Sequence, residues 1–477
     1  MAFALILLPL LMAALAAAVP SGRMRPWLLP ATGTAHLALT ITALASGGTA
    51  SPAAWLALDP LGKLILAIVS TLFFFCSFSA AAYLRYRSER PNRVFCACLL
   101  AFLSAMTLVT WSHHLGLMWV AIEGATLATA PLIFFNHTQR SIEATWKYLL
   151  VGSVGIALAL LGTFFLAYAS LHTGMKADLT LETMLAHAPQ LSKPWLHAAF
   201  VLLLVGYGTK MGLAPMHSWK PDAYGEAPGL VGALFAGGIT SCAFLALLRI
   251  YHICSAAGES AFAARLLTAM GLFSMAVASL FMVGQRDFKR MLAYSSVEHM
   301  GILALGLGLG APALFGTFFH AVANALTKGV LFLAAGNIHR AYADKTTDRV
   351  SGALRRVPFS GALFIAGFLA VTGSPPFAPF IGMFAILNGA LETGHHAAGG
   401  LYLALLLVAF IGMGGTVLKV VQGRVPDEAR KTAYRESVLS VAPVLCLMAL
   451  VLLLGVWIPA PLTTLLRDAV LFLESQP

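Results

Sequence analysis

Apolar residues along this 477-residue chain come in long unbroken runs separated by short polar stretches. They show neither the strict alternation of a half-buried strand nor the narrow stripe of a surface helix. The runs resolve into fourteen helix-length segments, centred near Leu10, Ala38, Phe73, Phe102, Gly124, Ala159, Leu204, Leu234, Met275, Gly301, Ala325, Gly367, Leu407 and Leu447. Most approach the ~20 residues an α-helix needs to cross a bilayer, which predicts an all-α polytopic membrane protein. The first run, residues 3–19, has no basic residue before it and is expected as a retained helix, not a cleaved signal.

Segments four to eight and nine to thirteen share a layout. The second segment of each set carries a lone acid, Glu123 and Glu298, and the fourth is interrupted by proline, at Pro215 and at Pro375–Pro376. Inverted repeats with discontinuous helices near the midplane are characteristic of secondary transporters. The pattern predicts three N-terminal helices (1–92), two inverted five-helix repeats (93–253 and 254–423) with helices 7 and 12 discontinuous, and a last helix with a tail (424–477). A proline within a helix frees the carbonyl four residues back. For Pro215 that carbonyl is Met211, beside Lys210.

Composition agrees: 59% of residues are hydrophobic and only 10% charged, a balance of membrane proteins. Of the 30 lysines and arginines, 22 fall in loops after odd-numbered segments, against five (Lys63, Lys176, Lys193, Arg249, Arg265) on the other side. That bias predicts cytoplasmic odd loops and both termini outside. The net charge of +11 is therefore a topogenic signal, and no nucleic-acid partner is expected.

Against this background, charges inside the runs are informative. Glu123 is the only acid in HLGLMWVAIEGATLATAPLIFF, which has no lysine or arginine, and Lys210 is the sole charge in LHAAFVLLLVGYGTKMGLAP. A charge at the bilayer centre costs roughly 3 kcal/mol on insertion scales. Such residues are expected to face the bundle interior, as a static salt bridge or as part of an ion path. In the eleventh segment His320, Asn324 and Lys328 recur every four residues, so they share one face over roughly 12 Å. Histidine titrates near neutrality, asparagine can orient water, and the row is a plausible proton wire. Glu298–His299 forms a second acid–imidazole pair. The candidate pathway is Glu123, Lys210, Lys147, Glu298, His299, His320, Asn324 and Lys328.

The six cysteines lie in or at the ends of apolar segments, with no metal-ligand spacing. There is no P-loop, dinucleotide fingerprint or nucleophile elbow. No cofactor, metal or catalytic redox site is expected in this chain; redox chemistry would belong to another subunit.

Three stretches resemble the antiporter-like membrane subunits of respiratory complex I, multisubunit sodium/proton antiporters and membrane-bound hydrogenases. They are MWVAIEGATLATAPLI around Glu123, GTKMGLAPMHSWKPDAYGEAP around Lys210 and GQRDFKRMLAYSSVEHMGIL around Glu298. The likeness covers segments four to twelve. E-x2-TLAT-x-PLI and SSVEHMG are most similar to hydrogenase-4 component F and its formate-hydrogenlyase relatives. The resemblance implies a Glu123–Lys210 ion pair in a proton path, with contributions from His320 and Lys328. Two positions depart from the wider pattern: Ser241 stands for a central lysine, and Met383 for a terminal glutamate or lysine.

The expected function is proton translocation within a hydrogenase-4- or formate-hydrogenlyase-like oxidoreductase complex. It would operate as a multi-pass protein of a bacterial or archaeal cytoplasmic membrane. The expected partners are other membrane subunits, a peripheral redox arm, the lipid bilayer and protons, with sodium as the other candidate ion. The alternatives are a non-pumping structural subunit of such a complex, or a subunit of a multisubunit sodium/proton antiporter.

Overall fold

The computed structural model describes residues 1–46, 55–174 and 178–475; Lys176, counted above on the outer side, lies outside the described residues. The N-terminal helices are α1 (Ala2–Ala18), α2 (Leu28–Ala45) and α3 (Pro60–Tyr86). There follow α4 (Arg93–Trp111), α5 (Leu115–Ile133), α6 (Gln139–Leu171), the short α7 (Leu181–Ala186), α8 (Lys193–Met211), α9 (Trp219–Glu226), α10 (Gly229–Leu234) and α11 (Thr240–Ala256). A π-helical turn, Phe235–Ile239, joins α10 to α11. The second set is α12 (Ser260–Met282), α13 (Phe288–Gly308), α14 (Ala311–Tyr342), the short α15 (Ala353–Arg356), α16 (Pro358–Val371), α17 (Ala378–Glu392) and α18 (His396–Val421). The chain closes with α19 (Asp427–Arg430), α20 (Val438–Val456) and α21 (Ala460–Glu474).

All fourteen expected segments are helical at their centres. Among the described residues, ten helical stretches are long and apolar enough to cross a membrane, and α1, α16 and α17 are shorter apolar helices. Helices are the required solution, because the hydrocarbon core offers no partner for an open backbone N–H or C=O.

The two repeats are built alike. In each, the helix bearing the glutamate (α5, α13) precedes a long helix, α6 with 33 residues and α14 with 32. At 1.5 Å per residue these reach about 50 Å. Each long helix packs against both pieces of its own broken helix, α6 on α8 and α9, and α14 on α16 and α17. The breaks match: Gly212 (φ 86°) and Gly373 (φ 76°) each stand three residues before a proline, Pro215 and Pro376, that follows a cis peptide bond. By that spacing the second-repeat counterpart of Lys210 is Val371.

Small residues set the spacing of the helices. A Cβ on Gly206 of α8 would fall 2.6 Å from the backbone nitrogen of Ala159 on α6. One on Gly382 of α17 would fall 2.8 Å from Cβ of His320 on α14.

Two features depart from the expectations. Lys220, counted in a cytoplasmic loop, is fully buried in α9, because the chain re-enters the bundle after the Pro215 break. The tail after α20 is itself a 15-residue helix, α21, whose Leu466, Ala469 and Leu473 are buried at helical spacing against α3 and α14. On the side of the molecule where α3 begins, Arg249 of α11 clasps the N-cap of that helix. Its guanidinium bonds Asp59 Oδ2 at 3.0 and 3.2 Å and reaches the carbonyls of Val109, Thr110 and Ser112.

Candidate functional site

The site grows from three buried lysines on different elements. Lys210 sits in the last turn of α8, and its ammonium lies 3.7 Å from Glu123 Oε2 on α5. It donates to Thr126 Oγ1 at 2.6 Å and stands 5.5 Å above the Tyr148 ring. A Cβ on Gly152 of α6 would come within 2.7 Å of Nζ, so a larger residue there would push the ammonium out of this position. The pair is unequal: Lys210 is 2% exposed and Glu123 21%. Glu123 lies toward the outer surface of the bundle beside Val120, Gly124 and Leu127, all exposed.

The Pro215 break then determines what happens next. The freed carbonyl of Met211 does accept an ammonium, but it is that of Lys220, at 2.7 Å, and not that of its neighbour Lys210. The Thr209 carbonyl accepts from Trp219 Nε1 at 3.0 Å. The partially negative C-terminal end of α8 is thus met by two donors from α9. Lys220 also donates to Ser296 Oγ on α13, at 3.0 Å.

Ser295, the adjacent residue on α13, accepts from Lys328 Nζ of α14 at 2.6 Å. Successive helix positions point about 100° apart. The serine pair therefore receives one lysine from each repeat on different sides of α13. One turn further, Glu298 and His299 are buried. The Lys328 ammonium is the charge that acts on Glu298. His299 Nδ1 and His320 Nε2 are 3.0 Å apart, with the rings stacked at 5.1 Å. Asn324 lies between His320 and Lys328 on the same helix, buried, with its Oδ1 unpartnered among the described residues. Seven of the eight pathway residues named from the sequence therefore fall in two polar groups, Glu123 with Lys210 in the first repeat and Lys328, Glu298, Asn324, His299 and His320, all buried, in the second, with Lys220 hydrogen-bonded to both repeats between them.

Lys147 stands apart. It lies near the start of α6 with its side chain 48% exposed, pairing with Glu143 at 2.8 Å and Asp222 at 3.0 Å. Asp222 also holds Arg290, at 2.5 Å. This is an ion network at the rim of the bundle. Sequence reading overlooked Lys220 and the two serines. The available signal was the Pro215 break itself, since the second piece of a discontinuous helix must continue the crossing. The two departures are accommodated without charge. Ser241, the second residue after the π turn, donates to the Gly237 carbonyl at 2.7 Å, and Met383 packs among Ile302, Leu305, Ile386 and Tyr402.

A polytopic helical bundle with paired broken helices and a buried lysine–carboxylate–histidine line defines an antiporter-like membrane subunit. Accordingly, residues 112–412 match the family described as NADH:quinone oxidoreductase/Mrp antiporter, TM, and the chain belongs to it. It is 35% identical over 382 residues to the hydrogenase-4 component F homolog of Methylacidiphilum infernorum (isolate V4), covering 78% of this chain and 79% of that one. Its fold is that of a chain in the membrane-bound sulfane sulfur reductase, an archaeal respiratory membrane complex, with a TM-score of 0.88 at 21% identity over 99% and 97% of the two chains. A chain of respiratory complex I from Thermus thermophilus gives 0.78 at 25% identity over 96% and 97%. The protein is an antiporter-like membrane subunit of the complex I and membrane-bound hydrogenase type.

Proposed function

We propose that this chain moves protons across a bacterial or archaeal cytoplasmic membrane as a subunit of a hydrogenase-4-like oxidoreductase complex. The observation that carries the reading is the buried polar line itself. It runs from Lys220, which bonds the Met211 carbonyl at the helix break of the first repeat and Ser296 of the second, to Lys328 on Ser295 and on to the histidine pair. Three ammonium groups in a low-dielectric interior are costly to keep, and a permanent static role is poorly served by Lys220 and Lys328, whose hydrogen-bond partners are hydroxyls and a carbonyl.

The coupling would enter at Glu123. An acid at the edge of a membrane bundle calls for cover by another membrane subunit. Redox chemistry in a peripheral arm, with its cofactors, would alter the Glu123–Lys210 interaction through that neighbour and so drive the lysine's proton along the line. The 22-to-5 basic bias, now 21 to 5 with Lys220 in the bundle, still favours both termini outside. Reporter fusions at Glu89 and Ser351 should be active only on the cytoplasmic side; activity outside the cell would reverse the orientation.

The second reading, a non-pumping scaffold, is favoured by one specific set of observations: Val371, Ser241 and Met383 carry no titratable group where the repeat or the family pattern would allow one. Sealed inverted vesicles containing the whole complex separate the two. Proton uptake reported by a pH-sensitive dye during redox turnover, lost in Glu123→Gln with the complex still assembled, supports translocation. Turnover with no proton uptake in the unmutated complex establishes the scaffold.

A further inference from the structure

We propose that Lys220 is the proton carrier between the two repeats, taking the part for which Ser241 has no titratable group. The inference rests on the proton-moving reading above and adds a residue that the sequence pattern assigned to a loop.

The geometry carries it. Lys220 is fully buried, and among the described residues no carboxylate forms an ion pair with it. Asp222, two positions on, is engaged by Lys147 and Arg290. The Lys220 Nζ bonds a carbonyl of the first repeat, Met211, and a hydroxyl of the second, Ser296. The side chain thus touches both repeats through acceptors that leave its proton mobile. The carbonyl is available because α8 ends at Met211 with Gly212 in the left-handed conformation, which leaves the last carbonyls of the helix open, and Pro215 has no N–H to offer it. Gly212 allows the approach: a Cβ there would fall 2.5 Å from Cδ, and 2.7 Å from both Cε and Nζ, of Lys220. The titratable groups whose charges act together with it are Lys328 of α14, His299 of α13, His217 in the break and Tyr224 of α9, whose ring is 5.6 Å from Nζ. None is an acid.

The transfer needs no co-reactant. An N–H bond of the Lys220 ammonium breaks toward Ser296, leaving the neutral amine. As the hydroxyl receives that proton its own passes through water to Lys328, which takes it up as the neutral amine after giving its proton to the histidine side. The Lys220 amine is then reprotonated through water from the Lys210 side.

The test uses the intact complex in sealed inverted vesicles, reading protons moved per electron transferred alongside the amount of assembled complex. Lys220→Met should slow proton uptake by roughly a hundredfold or more, the scale of a lost proton-transfer group, and so collapse that ratio wherever electron transfer continues, with the complex present. Lys220→Arg keeps a cation and its donors but cannot release a proton, and should fail as well. Translocation at the wild-type ratio in Lys220→Met, or recovery in Lys220→Arg, overturns the proposal; the latter would mean that only a fixed charge is needed. If Lys220→Met does not assemble, Ser296→Ala removes only the accepting hydroxyl; a several-fold loss supports the relay and an unchanged ratio refutes it. A wild-type complex that turns over without moving protons fails at the underlying reading, and the relay falls with it.

Discussion

The unequal burial of Glu123 and Lys210 gives an asymmetric prediction. At 3.7 Å two unit charges attract by about 4 kcal/mol at an effective dielectric constant near 20, before desolvation is charged against them. Glu123→Gln removes that attraction and leaves a Lys210 ammonium that is 2% exposed with the Thr126 hydroxyl as its hydrogen-bond acceptor. Leaving a buried charge uncompensated costs on the order of 3–5 kcal/mol. Lys210→Met removes the ammonium, keeps most of the stem volume, and leaves a carboxylate that is 21% exposed. It should cost less, about 1–2 kcal/mol. Glu123→Gln/Lys210→Met should be no worse than Glu123→Gln alone, a coupling of roughly 1–3 kcal/mol. Thermal denaturation of the detergent-solubilised complex, at fixed lipid content, ranks the three variants. Additive losses, or a larger loss for Lys210→Met than for Glu123→Gln, would refute the reasoning.

Three further outcomes follow from other parts of the molecule. Gly152→Ala leaves every charge in place but pushes a methyl toward Lys210 Nζ; proton movement in vesicles should slow several-fold while assembly is unchanged. Arg249→Met leaves the buried Asp59 carboxylate with only His113, at 3.2 Å, and the Gly62 N–H and should destabilise by about 3 kcal/mol, the low end for a broken buried pair, with Asp59→Asn/Arg249→Met melting above Arg249→Met. Outside the membrane, hydrogen bonds from Lys193 and His197 hold the Glu259 carboxyl below its usual range. Its stabilising contribution is present above the unfolded value of about 4.3 and lost as pH falls through the folded value. The melting-temperature gap between wild type and Glu259→Gln should therefore be open at pH 7 and close on acidification below about pH 4.

Much of the bundle was legible because the bilayer imposes a simple grammar. A run of apolar residues of helical length has one stable conformation in lipid, so the segments appeared directly, and Pro215 and Pro375–Pro376 marked the breaks. Glu123 and Lys210 stood out for the same reason, as charges in otherwise apolar runs. Lys220 did not, because its neighbours His217, Ser218, Pro221 and Asp222 read locally as a loop; only tertiary packing of α9 against α13 buries it. Ser295 and Ser296 carry no charge, and their roles depend on lysines that reach them from α14 and α9. The Asp59–Arg249 clasp joins residues 190 positions apart, a separation no local pattern encodes. Lys147 drew attention by charge alone, yet it lies at a helix start where solvent can reach it.

The central claim is that protons cross through the buried line, and Lys328 is where that claim is most exposed. It is fully buried, it bonds Ser295 at 2.6 Å, and it is the charge acting on Glu298. Lys328→Met keeps much of the side-chain length and removes the proton site. In sealed vesicles containing the assembled complex, the decisive measurement is the number of protons moved per electron transferred. The account predicts that this ratio collapses in Lys328→Met while the complex remains assembled. Translocation by Lys328→Met at the wild-type ratio would contradict it.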